Sequence, residues 1–481
     1  MDQVGNTIAL GLKNSPRYRW FILATVSIAT FMSTLDSSIV NVALPTISSE
    51  WHANLSTLQW VVTAYLLTIS SLLPVFGRIA DLLGRRRVYS WGFLVFTLGS
   101  ILCGVAPNIW FLIGMRILQA IGASMLMANS AALIIANFSP KERGRALGLT
   151  GTVVALGSLT GPALGGVLVG LLNWRSIFYI NLPIGILGYL AARIILPHDQ
   201  PHQNKETFDF VGALFFTLGM ISLLFSISNG QSWGWRSSPI LGGLFVGTLS
   251  LAFFFHTKLR VSNPMIDLSL FRIRPFFIGN ITGLLSFVAM FANVMLMPFY
   301  LQHILNYSPA QVGLLMTAFP LTMVIISPIS GHASDRIGPI ALTTSGLLVT
   351  AIGLYYLSTL TITSLFWQIV PGLLLMGIGS GLFQSPNNSS VMSCVPPNKL
   401  GVAGGISALV RNVGMVIGIA FSVSLLQNRE AALLIGVDNP TPLQQVTAFV
   451  GAYHTVMLAS MSIALIAALI SLNRKGYTSE S

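Results

Sequence analysis

Long apolar stretches separated by short polar segments run along almost the whole chain. Fourteen of these stretches have roughly the 20 residues that a helix needs to cross a bilayer. The pattern therefore predicts an all-α polytopic membrane protein. The predicted spans are 20–44, 57–77, 88–106, 108–137, 143–172, 176–196, 210–230, 239–257, 276–303, 309–331, 340–360, 365–392, 401–426 and 451–472.

Composition and charge agree with this class and exclude others. Only 8% of the residues are charged, against roughly 25% in a soluble domain. The net charge of +12 does not indicate nucleic-acid binding, because 20 Lys and Arg residues fall in one set of alternating loops and termini and only three in the other. The positive-inside rule therefore predicts that both termini are cytoplasmic, and we expect a multi-pass protein of the plasma membrane.

The sequence does not indicate a cleaved signal peptide, a disulfide framework, a metal site or an ATPase domain. The first apolar run is too long for a cleaved signal peptide. Cys103 and Cys394 both lie in apolar spans, so neither a disulfide framework nor a metal cluster is indicated. A Walker A motif does not occur, and no polar segment is long enough for an ATPase domain. We expect no enzyme activity and no cofactor or metal, with protons as the coupling ion.

The chain contains an internal duplication. Segments 77–84 and 331–338 both read Gly-x-x-x-Asp-x-x-Gly, offset by 254 residues. Three further glycine pairs share an offset of 257: Gly122 and Gly379, Gly157 and Gly414, Gly161 and Gly418. Repeated offsets of this kind mark a repeat architecture.

The repeat unit is about six helices. We predict an N-terminal half (1–196), an insertion with helices seven and eight (197–260), and a C-terminal half (261–481). Parallel halves with a binding site between them near the midplane describe a secondary transporter. The inserted helices are expected to seal the groove between the halves or to contact a partner. The protein is expected to be monomeric.

Five motifs resemble those of a known family. They are Leu35–Pro45, Gly77–Arg87, Arg116–Ala123, Gly157–Gly166 and Trp174–Gly185. In this order they resemble the major facilitator superfamily, specifically its fourteen-helix drug:proton antiporter branch. The resemblance covers nearly the whole chain and implies a major facilitator fold with two six-helix halves plus two inserted helices. It also implies multidrug efflux and antibiotic resistance.

Asp36 is the acidic residue that we place at membrane depth, where a carboxyl group costs about 2.5–3.5 kcal/mol on insertion scales. Burial favours its neutral form and can bring proton exchange towards physiological pH. The alternative is a structural acid held by Ser and Thr neighbours.

Arg116 is a second intramembrane charge, and the resemblance suggests that it tunes this acid. Its alternative role is to cap backbone carbonyls. Arg411, in the thirteenth span, is expected mainly to balance polar groups.

A conformational latch is predicted in the loop after the second span. Its glycines suit a tight turn, and a charge cluster there can break as the halves rock. Topology determination alone is the simpler reading of its arginines. The latch residues are Gly77, Asp81, Gly84, Arg85, Arg86 and Arg87, with a reduced copy at Asp335 and Arg336.

The fifth span has glycines at four-residue spacing, which permits close helix approach, and a proline that favours a kink. The resemblance associates this motif with antiporters, although ordinary tight packing explains it equally well. The residues are Gly157, Gly161, Pro162, Gly165 and Gly166.

The substrate cavity is inferred from polar or aromatic residues on the spans expected to line the centre. Each of them can equally form a helix–helix hydrogen bond. The candidates are Asn41, Gln59, Tyr65, Asn129, Asn293, Gln384, Asn387 and Asn388. Met290, Phe291, Met295 and Met297 could add a soft, adaptable apolar surface, although core or lipid-facing packing is the simpler reading of each.

Energetics limit the substrate charge. A proton entering down the membrane potential gains about 2.3 kcal/mol per 100 mV, and about 1.4 kcal/mol is tenfold. Exchange for a neutral lipophile therefore supports a gradient of roughly fortyfold per 100 mV. Exchange for a monocation is electroneutral, and exchange for a dication opposes the potential.

We therefore expect a proton-coupled exporter of small lipophilic neutral or monocationic compounds that works by alternating access. A dedicated exporter of one endogenous metabolite, peptide or lipid is the alternative within transport. A non-transporting membrane sensor or scaffold is the alternative from another class.

Overall fold

The computed structural model describes residues 17–197, 209–258, 267–396, 399–437 and 439–474, and this part of the chain is helical. Fourteen helices are long and apolar enough to cross a membrane, as predicted. The helices are α1 Tyr18–Trp51, α2 Leu55–Leu83, α3 Arg85–Gly104, α4 Ile109–Asn137, α5 Pro140–Leu171, α6 Ser176–Ile195, α7 Phe210–Trp233, α8 Ser238–Lys258, α9 Arg274–Phe299, α10 Pro309–Ile337, α11 Pro339–Leu357, α12 Phe366–Ser393, α13 Leu400–Leu433 and α14 Pro442–Leu472.

Local sequence signals set the helix ends. Asn54 and Asn108 accept hydrogen bonds from backbone amides in the first turns of α2 and α4, which satisfies donors that a helix start leaves free. Gly84 is the single residue between α2 and α3, and Gly338 is the single residue between α10 and α11. Their φ angles of 101° and 81° favour glycine.

Several helices extend beyond the predicted spans. The largest difference lies between the spans predicted at 401–426 and 451–472, where α13 continues to Leu433 and α14 begins at Pro442. Thr441 forms a capping box with Gln444, and the proline at the first helical position fits the helix start. These capping signals extend α14 before its apolar stretch begins.

The duplication is visible in helix packing. A methyl group placed on Gly157 would lie 2.9 Å from Thr34 Cβ of α1. In the second half, a methyl group on Gly414 would lie 2.8 Å from the Leu284 carbonyl oxygen of α9. Glycines at matching places therefore let α5 approach α1 and α13 approach α9, each without room for a side chain.

The two halves meet at the side of the bundle away from the termini, which we call the far side. There Ser56 Oγ donates to Gln427 Oε1 (2.8 Å), and Gln302 Nε2 donates to the Val42 carbonyl oxygen (3.0 Å). Helices α5 and α10 also pack closely along each other. These contacts close the far side of the molecule.

The inserted helices form a pair at the edge of the two halves. Helix α7 packs against α2 of the first half and α13 of the second, while α8 packs mainly against α7. Trp60 Nε1 donates to Asn229 Oδ1 (3.3 Å), and Gln231 donates to Asn428. Helix α7 thus covers the groove between α2 and α13. The loops that flank the insertion lie mostly outside the described residues.

Candidate functional site

A central cavity of about 420 Å³ lies between the halves, a size that suits small-molecule ligands. Helices of both halves line it, mainly with apolar side chains. Towards the far side it reaches Val42 and Val294, and towards the side of the termini it reaches Leu147 and Gly404. Because the far-side contacts close one end, the cavity extends towards the side that carries the termini.

The structure brings some of the predicted cavity residues to this wall. Asn41, Tyr65 and Gln384 line the cavity, together with Met290 and Phe291 of the four predicted apolar neighbours. The other two, Met295 and Met297, are buried in the helix packing and do not line it.

The other five predictions are corrected, because local hydrogen bonds or position take these side chains away from the cavity. Gln59 Nε2 donates to the Ser228 carbonyl oxygen of α7, and Asn129 Nδ2 donates to the Met125 carbonyl oxygen of its own helix. The remaining three are Asn293, which accepts from Tyr453, Asn387, which contacts Gly279 and Arg474, and Asn388, which is exposed.

Asp36 and Arg116 form an ion pair beside the cavity. Arg116 Nη1 lies 2.6 Å from Asp36 Oδ2, and both side chains are 0% exposed. Among the described residues, Asp36 is the one buried acid. A buried pair of this kind is costly to break by removing one partner, since the other charge then lacks compensation.

Uncharged polar residues complete the carboxylate's coordination. Gln119 Nε2 and Asn181 Nδ2 donate to Asp36 Oδ1 at 2.8 and 3.1 Å. Both nitrogens also donate to Ser100 Oγ, and Ser100 donates to the Phe178 carbonyl oxygen. Four helices, α1, α3, α4 and α6, thus meet at one acid.

Sequence reasoning missed most of this shell. Gln119 is three residues after Arg116 on one helix face, which is a usable signal. Asn181 is a lone amide in an apolar helix, which is a weaker signal. Ser100 cannot be distinguished from the many serines that bond only to their own helix.

Arg116 separates the acid from the cavity. The guanidinium lies 4.1 Å from the centre of the Tyr65 ring, and Nε donates to the Val61 carbonyl oxygen. Arg116 lines the cavity, whereas Asp36 does not. Nη2 has no hydrogen-bond partner among the described residues. A proton that reaches the Asp36 carboxylate from the cavity must therefore pass or displace the arginine.

The predicted latch is only partly a turn. Gly77 lies inside α2, where a methyl group would meet no atom within 4 Å, so it neither turns the chain nor permits a close contact. Arg85 Nη2 lies 2.9 Å from Asp81 Oδ1, and Arg86 donates to the Arg193 carbonyl oxygen. Arg87 lies in the first turn of α3 beside them. The reduced copy, Asp335 and Arg336, is exposed at the end of α10. The latch role stays a prediction.

The glycines of α5 face two different helices. A methyl group on Gly161 would overlap Ser38, and one on Gly165 would lie 2.7 Å from Ile39 Cγ1, so both glycines pack on α1. Gly166 instead faces the second half, where a methyl group would lie 2.5 Å from the Pro309 carbonyl oxygen. Pro162 lies inside α5 and lines the cavity. Helix α5 therefore packs closely on both halves, and its gating role stays a prediction.

Comparison with known proteins identifies the family. The model of the major facilitator superfamily matches residues 26–419 and 280–475. The chain belongs to the major facilitator superfamily. It is 38% identical to riboflavin transporter RibZ of Clostridioides difficile over 84% of this chain and 88% of the relative. It is 36% identical to multidrug resistance protein Stp of Mycobacterium tuberculosis, covering 85% and 76%.

Other members of the superfamily agree with this assignment. Multidrug transporter protein MdtP of Bacillus subtilis is 33% identical, covering 86% of this chain and 77% of the relative. A bacterial homologue of the human lysosomal transporter Spinster, solved in an inward-facing and occupied conformation, matches with a TM-score of 0.67 at 14% identity. It covers 96% of this chain and 97% of the neighbour, and at this identity it shows the fold alone. The protein is thus a multi-pass membrane transporter and not an enzyme.

Proposed function

We propose that this transporter is a proton-coupled exporter of small lipophilic compounds, located in the plasma membrane with both termini in the cytoplasm. The observation that carries the proposal is the fully buried Asp36 carboxylate, bound to an arginine that faces the central cavity. Its multidrug transporter relatives support the substrate class. The 20 basic residues in the loops and termini assigned to the cytoplasm support the orientation.

The ion pair supplies a mechanism for coupling. A proton and Arg116 compete for the same oxygen, Asp36 Oδ2, which lies 2.6 Å from Arg116 Nη1. Protonation removes the charge that holds the guanidinium, so Arg116 is released towards the cavity that it lines. An arginine in the cavity occupies volume that a substrate needs. Substrate binding therefore favours the paired, deprotonated state, as exchange of substrate for proton requires.

Alternating access follows from the interface between the halves. The far side is closed by contacts between α5 and α10 and by hydrogen bonds such as Ser56 to Gln427. With the termini in the cytoplasm, the far side is the outer side and the cavity faces inwards. The opposite state requires α5 and α10 to separate near Gly166.

Transport in inverted membrane vesicles tests the proposal. Vesicles with an imposed acid interior are exposed to neutral, monocationic, dicationic and monoanionic compounds, and loss of the pH gradient is measured. We expect active compounds to dissipate the gradient with the natural sequence. The Asp36→Asn variant should show no dissipation above empty vesicles, although the protein still inserts.

The matched control is Glu50→Gln, which makes the same acid-to-amide change on the same helix. Glu50 pairs with Arg175 and is partly exposed at the far end of α1. The rate at which the pH gradient dissipates should stay within about twofold of the natural sequence, since exposed ion pairs contribute little to stability. Equal dissipation of the pH gradient by Asp36→Asn and by the natural sequence would contradict the proposal.

A dedicated transporter of one metabolite is the second candidate. The observation that favours it is the 38% identity to a protein named as a riboflavin transporter. If this candidate is right, one compound or close analogues of it dissipate the gradient, and unrelated lipophiles neither dissipate it nor compete.

A further inference from the structure

Arg411 is a second cation at the cavity wall, and the function proposed above does not use it. It lies on α13 and lines the cavity from the side of the second half. Neither a hydrogen bond nor an ion pair joins its side chain to any described residue. A guanidinium remains charged at physiological pH and presents five donors. Arg411 is thus an unneutralised charge that faces ligand space.

Its neighbour is also unsatisfied. Asn412 is 3% exposed and lines the same cavity, and its Nδ2 has no hydrogen-bond partner among the described residues. Buried amide donors normally have partners, and leaving one unpaired is destabilising. Two adjacent residues therefore offer donors to the cavity and receive no acceptor from the described part of the chain.

The rest of the wall does not balance this charge. The cavity lining among the described residues contains no Asp or Glu. Asp36, the one buried acid among the residues that the structure describes, lies behind Arg116 and is neutralised by it. A cationic ligand would therefore enter a site with excess positive charge and no counter-ion. A ligand that carries acceptor atoms would satisfy donors that are free without it.

We infer that Arg411 and Asn412 form the subsite for the polar end of the substrate, and that this end is a hydrogen-bond acceptor group, neutral or anionic. Monocations, which the energetics of exchange admit, are disfavoured by the cavity. This inference rests on the proposed function only in taking the bound ligand to be the transported substrate. The binding preference itself requires no proton coupling.

Equilibrium binding to the purified full-length protein, in nanodiscs of zwitterionic lipid at pH 7.5, tests the inference. Three fluorescent probes share one fluorophore and differ in charge: dansylglycine (anion), dansylamide (neutral) and dansylcadaverine (cation). We expect the natural protein to bind the anion at least tenfold more tightly than the cation, with the neutral probe between them.

Substitutions at the subsite should change charge preference rather than binding in general. Arg411→Gln should weaken the anion about tenfold or more and close the gap to the cation. Arg411→Lys should keep the preference for the anion. Asn412→Asp, which supplies the absent counter-ion at nearly constant volume, should reverse the preference. Arg236→Gln, an exposed outer-loop change of the same type, serves as the control and should change none of the three affinities.

Two results would overturn the inference. One is that the natural protein shows no preference for the anion over the cation, whether all three probes bind alike or none binds. The other is that Arg411→Gln weakens all three probes equally, which indicates a structural role. Failure of proton coupling leaves these affinities unchanged, so a wrong function and a wrong subsite give different results.

Discussion

The two halves of this transporter place an intramembrane arginine in opposite surroundings. In the first half, Arg116 is fully buried and paired with Asp36 at 2.6 Å. In the second half, Arg411 lines the cavity without an acidic partner among the described residues. The glycines that relate α4 to α12 and α5 to α13 place Leu373 where the first half has Arg116, and Val154 where the second half has Arg411.

This difference shows that the two halves share their helix packing but not their charged residues. The close glycine contacts are kept in both halves because they build the helix packing. The intramembrane charges are not kept at matching positions, and our proposal requires only one proton site and one polar substrate subsite. We therefore assign proton coupling to the first half and recognition of the substrate's polar end to the second.

The largest expected effect comes from breaking the buried pair in the first half. Replacing one partner, as in Arg116→Met, should destabilise the protein by about 3–5 kcal/mol, because Asp36 is left buried and charged. The double variant Arg116→Met with Asp36→Asn should recover most of this loss. Reversible unfolding in mixed detergent and denaturant measures both.

If the double variant loses as much stability as the two single variants added together, Asp36 and Arg116 are not energetically coupled. Arg411→Met is the comparison in the second half. It should cost less than about 1 kcal/mol, since removing it leaves no opposite charge unpaired.

The packing glycines should behave alike in both halves. Gly161→Val on α5 and Gly418→Val on α13 each add atoms where a methyl group already meets the neighbouring helix. Such overpacking typically costs about 1–3 kcal/mol. Thermal unfolding of purified variants measures the loss. Gly151→Val and Gly401→Val are the controls, since a methyl group at either position meets no atom within 4 Å. A large cost in one half alone would contradict equivalent packing.

A smaller, pH-dependent effect is expected at the entry to the second half. Burial acts to raise the pKa of Asp267, but hydrogen bonds from Lys399 and Ser269 and the Lys399 charge outweigh it and lower this pKa. Lys399 Nζ lies 2.6 Å from Asp267 Oδ2. The pair is partly exposed, so Asp267→Asn should cost at most about 1 kcal/mol near pH 7.

The sign of this pH dependence follows from the lowered pKa. The stabilisation is fully present above the unfolded pKa of about 3.9 and is lost as the pH falls through the lower folded value. The thermal unfolding midpoints of Asp267→Asn and the natural protein should therefore converge as the pH falls from the unfolded value of about 3.9 through the lower folded value. A difference that grows as the pH falls would contradict this account.

Much of the fold could be predicted from the sequence, because apolar length and basic loops report directly on membrane crossing. The duplication could be predicted too, since packing glycines leave a spacing that survives divergence. The shell around Asp36 could not, because Ser100 and Asn181 reach it only through tertiary packing. The prediction that Gln59 lines the cavity is wrong for a related reason, since its side chain contacts α7 instead. A polar residue of α2 faces either the cavity or α7, and apolar periodicity does not distinguish these.

Substrate-induced proton release is the most direct test of Asp36 as the coupling site. The purified protein is mixed with dansylamide in weakly buffered detergent solution, at a series of pH values from 5 to 8, and released protons are counted. We expect the natural sequence and Glu50→Gln to release up to one proton per protein molecule at some pH in this series, and Asp36→Asn to release none. Equal release by Asp36→Asn, or no release by the natural sequence at any pH, would contradict the assignment of Asp36 as the coupling site.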